Sequence, residues 1–87
     1  MVDGSRVFVY GKGSSGLAAR EMQNRFMRLG LDITALEDSD LMRMNASLLT
    51  ENSIAIGISI SGETESVLDS LKQAHINGAR NHIDYSI

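Results

Sequence analysis

Three hydroxyl side chains fall within six residues in Ser59-Ile60-Ser61-Gly62-Glu63-Thr64. Hydroxyls gathered in a short loop with no cation among them suit a phosphate ester that is held by hydrogen bonds and must later leave. A second small-residue cluster, Gly11-Lys12-Gly13-Ser14-Ser15-Gly16, adds two more hydroxyls. Both clusters need a strand that ends and a helix that begins, because a helix N-terminus turns N–H groups and a positive dipole end toward an anion. The plainer role of such hydroxyls is to cap a helix. The elements around them have to decide between the two.

Ile54-Ala55-Ile56-Gly57-Ile58 opens as a near-continuous β-branched run, the pattern of a strand covered on both faces. From Glu63 the period changes, with Val67, Leu68, Leu71 and Ala74 at helical spacing as far as a stop at Asn77-Gly78. The earlier cluster has the same setting. Val7-Phe8-Val9-Tyr10 is a run of β-formers, and after Gly16 the residues Ala18, Met22, Phe26 and Leu29 form one apolar stripe that ends at Gly30. Between these units, Leu31 to Leu36 reads as a strand, and Glu37-Asp38-Ser39-Asp40 supplies N-cap chemistry for a helix starting near Asp40. Leu41, Met44, Leu48 and Leu49 are the expected apolar face of that helix. The five methionines read as core filler rather than a plastic binding surface. Ile83, Tyr85 and Ile87 alternate with polar residues, which predicts a fourth, polar strand.

Strands alternating with helices imply parallel strands joined by right-handed crossovers. The expected fold is α/β, a three-layer open parallel sheet of flavodoxin-like order 2-1-3-4. Val7–Tyr10, Ile33–Leu36 and Ser53–Ser59 are expected to be parallel neighbours with the first strand central. In that order the first and third strands lie side by side and the crevice opens between their carboxyl ends. Ser14 and Ser15 then face Ser59, Ser61 and Thr64.

Composition removes several classes of function. The 87 residues allow one small domain, with no internal repeat and no linker. A net charge of −3 leaves no footprint for nucleic acid or an anionic membrane surface. The absence of cysteine excludes disulfides, thiolate metal sites and a cysteine nucleophile. No apolar run reaches the roughly 20 residues of a membrane span, and the start lacks a signal-peptide pattern.

The first cluster also spells G-x-G-x-x-G through Gly11, Gly13 and Gly16, with Glu37 or Asp38 placed where a dinucleotide fold puts its ribose contact. The second cluster argues against that rival, since five hydroxyls around one point suit a phosphate monoester better than an extended pyrophosphate. The P-loop pattern fails for want of Gly-Lys-Ser at the right offset, and no G-x-S-x-G elbow or activating base accompanies Ser59 and Ser61. Lys12 reads as a solvated loop lysine. His75 and His82 stand apart from any acidic cluster, so no metal site is expected. Isomerisation of a sugar would need a general base; Glu63 and Glu65 qualify by proximity only, and favourable charge at a helix N-terminus explains them as well. No catalytic residue and no cofactor is assigned.

Ser59-Ile60-Ser61-Gly62-Glu63-Thr64 resembles the S-x-S-G-x-T loop of the sugar isomerase (SIS) domain family, which grips the phosphate of a phosphosugar. Gly11, Gly13 and Ser15 are similar to that family's opening G-x-G-x-S. Arg25 to Gly30, the helix near Asp40 and Ala74 to Ala79 extend the likeness over nearly the whole chain. It is nearest to the effector domain of RpiR-type bacterial transcriptional regulators, which carry a helix-turn-helix domain N-terminal to the SIS domain. The resemblance implies that residues 1–87 are a partial SIS domain, without the DNA-binding domain and the C-terminal half. It implies a phosphosugar effector held by Gly13, Ser14, Ser15, Ser59, Ile60, Ser61, Gly62 and Thr64. Further expectations are a homodimer or higher homo-oligomer, DNA contact only through the absent domain, no membrane partner and a cytoplasmic setting. A phosphosugar isomerase or aminotransferase-type enzyme is the alternative, and a dinucleotide-binding module the second alternative.

Overall fold

The computed structural model describes residues 6–58 and 65–84. Four strands and three helices alternate along the chain: β1 (Arg6–Tyr10), α1 (Ser14–Met27), β2 (Ile33–Leu36), α2 (Ser39–Leu48), β3 (Ser53–Ile58), α3 (Glu65–Ile76) and β4 (Arg80–Asp84). The strands form one sheet of order β2-β1-β3-β4, and every neighbouring pair is parallel. This is the expected order with the first strand central. The fourth strand is present as Arg80–Asp84, paired with β3; Tyr85 and Ile87 lie outside the described residues.

The period of two along β1 and β3 sorts their side chains between two cores. Val7 and Val9 join Ala19, Ile33 and Ile58 beneath α1, with Ile54 and Ile56 packed alongside. Tyr10 joins Met42, Ala46, Ala55, Val67, Leu71 and Ala74 on the opposite face, beneath α2 and α3, with Phe8 packed alongside. Both faces of the central strands are thus removed from water, the usual condition of a parallel sheet. Each fully buried valine or leucine contributes about 1.5–3 kcal/mol. On β3 the isoleucines face α1, while Ala55 and Gly57 leave room for α3. A β-carbon on Gly57 would lie 2.6 Å from both Val67 Cγ1 and Leu71 Cδ1.

Helix ends follow local chemistry. The Asp38 carboxylate accepts a 3.0 Å hydrogen bond from Leu41 N–H and caps α2. Helices α1 and α3 close in the same way, on glycines at positive φ, Gly30 at 81° and Gly78 at 89°. The N–H of Gly30 reaches Met27 C=O and that of Leu31 reaches Phe26 C=O; Gly78 to His75 and Ala79 to Ala74 repeat the pattern. Two otherwise orphaned carbonyls are satisfied at each end.

Three sequence expectations need correction. The inner face of α2 is Met42 and Ala46, with Leu49 at its C-cap, while Leu41, Met44 and Leu48 are exposed. Small Ala46, in one core cluster with Ala74 of α3, allows the two helices to approach closely, and that turns the larger residues outward. On α1, Ser15, Gly16 and Ala19 are buried, whereas Phe26 and Leu29, the far end of the expected stripe, are exposed. Methionine is core filler at Met42, fully buried, but Met27 and Met44 are exposed.

Candidate functional site

All three helices begin at the edge where the strands end. The parallel register pairs Tyr10 with Gly57 and Tyr10 with Leu36, so β1, β2 and β3 finish together. From β1 the chain passes through Gly11 to Gly13 into α1. From β3 it leaves at Ile58 and enters α3 at Glu65. The second hydroxyl cluster, Ser59, Ile60, Ser61, Gly62 and Thr64 with Glu63, lies outside the described residues.

The first loop is built by close backbone approach. Gly11 N–H donates to Leu36 C=O at 3.1 Å, which ties the loop to the end of β2. A β-carbon on Gly11 would fall 2.5 Å from Ser15 C=O, so only glycine fits. Gly13 stands at the N-cap of α1 with φ 58°, a conformation that L side chains rarely adopt. Ser15 N–H and Gly16 N–H turn back onto Lys12 C=O and Gly13 C=O at 2.9 and 3.0 Å. Ser14 is exposed in the first turn, and Ser15 is buried. The first turn of α1 contains no acidic residue.

The N-termini of α2 and α3 are joined across this edge by a 3.0 Å hydrogen bond from Ser66 Oγ to Ser39 Oγ. Arg43 and Asp69, 3.6 Å apart, add an ion pair between the same helices. Just inside, the Tyr10 hydroxyl donates to Asn45 Oδ1 at 2.6 Å and fastens the end of β1 to α2. Burial raises the Tyr10 pKa well above the usual phenol value, so the group is a fixed neutral donor.

Glu37 follows the last residue of β2. Its Oε2 accepts from Arg20 Nε at 2.8 Å, and Arg20 Nη2 lies 2.7 Å from the same oxygen. Its carboxyl also rests against Gly16, where a β-carbon would meet Glu37 Oε1 at 2.7 Å. The acidic residue that a dinucleotide site would offer to a ribose is here engaged by an arginine on α1. Sequence reasoning noticed Glu37 in that rival role and as part of the acidic start of α2, and no local pattern marked Arg20 as its partner. The links Ser39–Ser66 and Tyr10–Asn45 carry no sequence signal, because they span 27 and 35 residues. His75 is exposed on α3. Among the described residues no three histidine, cysteine, aspartate or glutamate side chains are grouped to hold a metal ion, and no helix is long and apolar enough to cross a membrane.

Such an edge can hold an anion through backbone N–H groups and hydroxyls. Known proteins show the same framework. The chain is 40% identical over 74 residues to an uncharacterized HTH-type transcriptional regulator of Haemophilus influenzae, covering 85% of this chain and 26% of that protein. It is 35% identical over 72 residues to the HTH-type transcriptional regulator RpiR of Escherichia coli K12, covering 83% and 24%. Among solved structures, the sugar isomerase domain of an RpiR transcription factor from Sphaerobacter thermophilus superposes with a TM-score of 0.82 at 22% identity, over 90% of this chain and 44% of that one. A candidate sugar-phosphate isomerase from Listeria monocytogenes superposes with a TM-score of 0.78 at 25% identity, over 92% and 42%. The chain thus spans about a quarter of the length of these curated relatives. The SIS domain family profile matches residues 1–83 of the 87, and the chain belongs to the SIS domain family.

Proposed function

We propose that this chain is the phosphosugar-sensing part of a transcriptional regulator and binds its effector without converting it. One observation carries the reading: the Gly11–Ser15 loop, the start of α3 and the start of α2 share one edge of the sheet, with the loop bonded to the end of β2 and the two helix starts joined by Ser39 and Ser66. Gly13, Ser14 and Ser15 would hold the phosphate from the β1 side, with Ser59, Ile60, Ser61, Gly62 and Thr64 facing them from the β3 side. The relatives named as HTH-type regulators support the sensing role. DNA contact would come through a helix-turn-helix domain of the full-length protein. Assembly with a second copy belongs to the same reading, since Leu41, Met44 and Leu48 make an exposed apolar row on α2.

The experiment is a melting-temperature screen of the full-length protein against sugar phosphates, the corresponding free sugars and NAD. A ligand present at 100 times its Kd should add about 2.7 kcal/mol of stability. Stabilisation by sugar phosphates but by neither free sugars nor NAD supports the proposal. Stabilisation by NAD, or by none of the panel, refutes it.

The enzymatic reading rests on the Listeria structure, which is that of a candidate sugar-phosphate isomerase. Glu65, exposed in the first turn of α3, is the described carboxylate nearest the site in sequence that could act as a base. Turnover of one sugar phosphate into its aldose or ketose isomer by the full-length protein would establish that reading instead.

A further inference from the structure

The β2 flank of the loop is formed by a charged side chain whose placement is fixed from two sides. The Glu37 carboxyl lies over Gly16, in the third position of α1, close enough that any β-carbon there would strike it. Arg20, one turn further along α1, holds Oε2 with both Nε and Nη2. Leu36, immediately before it, accepts the hydrogen bond from Gly11 that anchors the loop. The first turn of α1 carries no acid of its own, so the carboxylate standing at this helix start comes from the end of β2. On the phosphosugar reading an anion sits at the Gly13–Ser14 start of α1, where the first turn carries no acid. A group that extends over α1 toward β2 meets a carboxylate.

We propose that Glu37 is a specificity-determining residue, which rejects ligands carrying a second anionic group on the β2 side of the cradle and admits hydroxyl-bearing ones. The assignment rests on the phosphosugar reading above. A carboxylate oxygen accepts hydrogen bonds from sugar hydroxyls and repels phosphate or carboxylate. Arg20 offsets part of that repulsion, so its removal sharpens the discrimination while the removal of the Glu37 charge relaxes it. Opposite signs from two partners of one ion pair are not produced by a general loss of structure.

The test is calorimetric titration of the full-length protein, Glu37→Gln and Arg20→Gln with glucose 6-phosphate and glucose 1,6-bisphosphate, and with the matching pentose mono- and bisphosphates. The readout is the ratio of bisphosphate Kd to monophosphate Kd within each protein. Glu37→Gln should lower that ratio about tenfold, the size of one screened like-charge contact, and Arg20→Gln should raise it. A ratio unmoved by Glu37→Gln, or lowered by both substitutions, overturns the assignment while monophosphate binding leaves the phosphosugar reading standing. Binding of no sugar phosphate by the parent protein overturns both.

Discussion

Replacing Gly57 by alanine tests whether the helix that follows the second cluster is set by contact with β3. Alanine in a strand is ordinarily better than glycine by about 0.5–1 kcal/mol, through lower chain entropy. Here the added carbon would lie 2.6 Å from Val67 Cγ1 and 2.6 Å from Leu71 Cδ1, far inside van der Waals contact. Leu71 can turn its terminal methyl away. Val67 is β-branched and stiff in a helix, so it resists. Overpacking of this kind costs about 1–3 kcal/mol, which exceeds the entropic gain. The net loss should be about 1–2 kcal/mol, lowering the melting temperature of a domain this size by roughly 4–15 °C. Urea and thermal unfolding followed by circular dichroism would measure it. Adding Val67→Ala removes the stiff neighbour, so the double variant should lose less than the sum of the single ones by about 0.5–3 kcal/mol. A Gly57→Ala protein as stable as the parent, or strict additivity with Val67→Ala, would refute the contact argument.

Other outcomes follow from the same structure. Ser61→Ala or Thr64→Ala should weaken sugar-phosphate binding by about 1.5–3 kcal/mol, roughly ten- to hundredfold, measured by calorimetry on the full-length protein; parent-like affinity would leave these hydroxyls as helix caps. Asp38→Ala should cost about 1 kcal/mol through loss of the α2 cap, read from urea midpoints at constant slope. The buried Tyr10 hydroxyl keeps its proton in the folded state, so it contributes nothing to pH dependence below its ordinary value of 10.0 and a falling stability above it. Tyr10→Phe should flatten that alkaline decline and, by orphaning Asn45 Oδ1, cost about 1 kcal/mol near neutrality.

Much of this architecture was legible because periodicity and punctuation agreed. The β-branched runs at Val7–Tyr10 and Ile54–Ile58 could only be central strands, and Gly30 and Gly78 marked helix ends that the structure closes with identical hydrogen-bond pairs. The strand–loop–helix succession and the buried character of the third run then pointed to a central β1, as found. Helix faces were less legible, because hydrophobicity alone ranked Leu41, Met44 and Leu48 above Ala46. Close approach between α2 and α3 selects small residues, and a pattern search for large apolar ones looks past them. Of the two loops expected at one edge, Gly11–Gly16 lies where β1 ends, while the second falls outside the described residues. The flank of the site was not legible, since the Glu37–Arg20 pair joins residues 17 apart on different elements and no local pattern encodes it.

The central position of β1 has a consequence for how the chain is made. β1 is the first strand to be synthesised, yet one of its edges waits for β2 and the other for β3, which ends at Ile58. At about 5–20 residues per second, a nascent chain carries Val7 and Val9 without their third-strand neighbours for roughly 2–10 s. A two-residue turn could not shorten that interval, because parallel strands require a crossover. Until β3 arrives, a strand carrying Val7, Phe8 and Val9 is an open edge, the condition that favours pairing with another chain. Aggregation during synthesis should therefore respond to substitutions that delay or weaken β3, such as those at Ala55 or Gly57, more than to changes on β4, which pairs with β3 and not with β1.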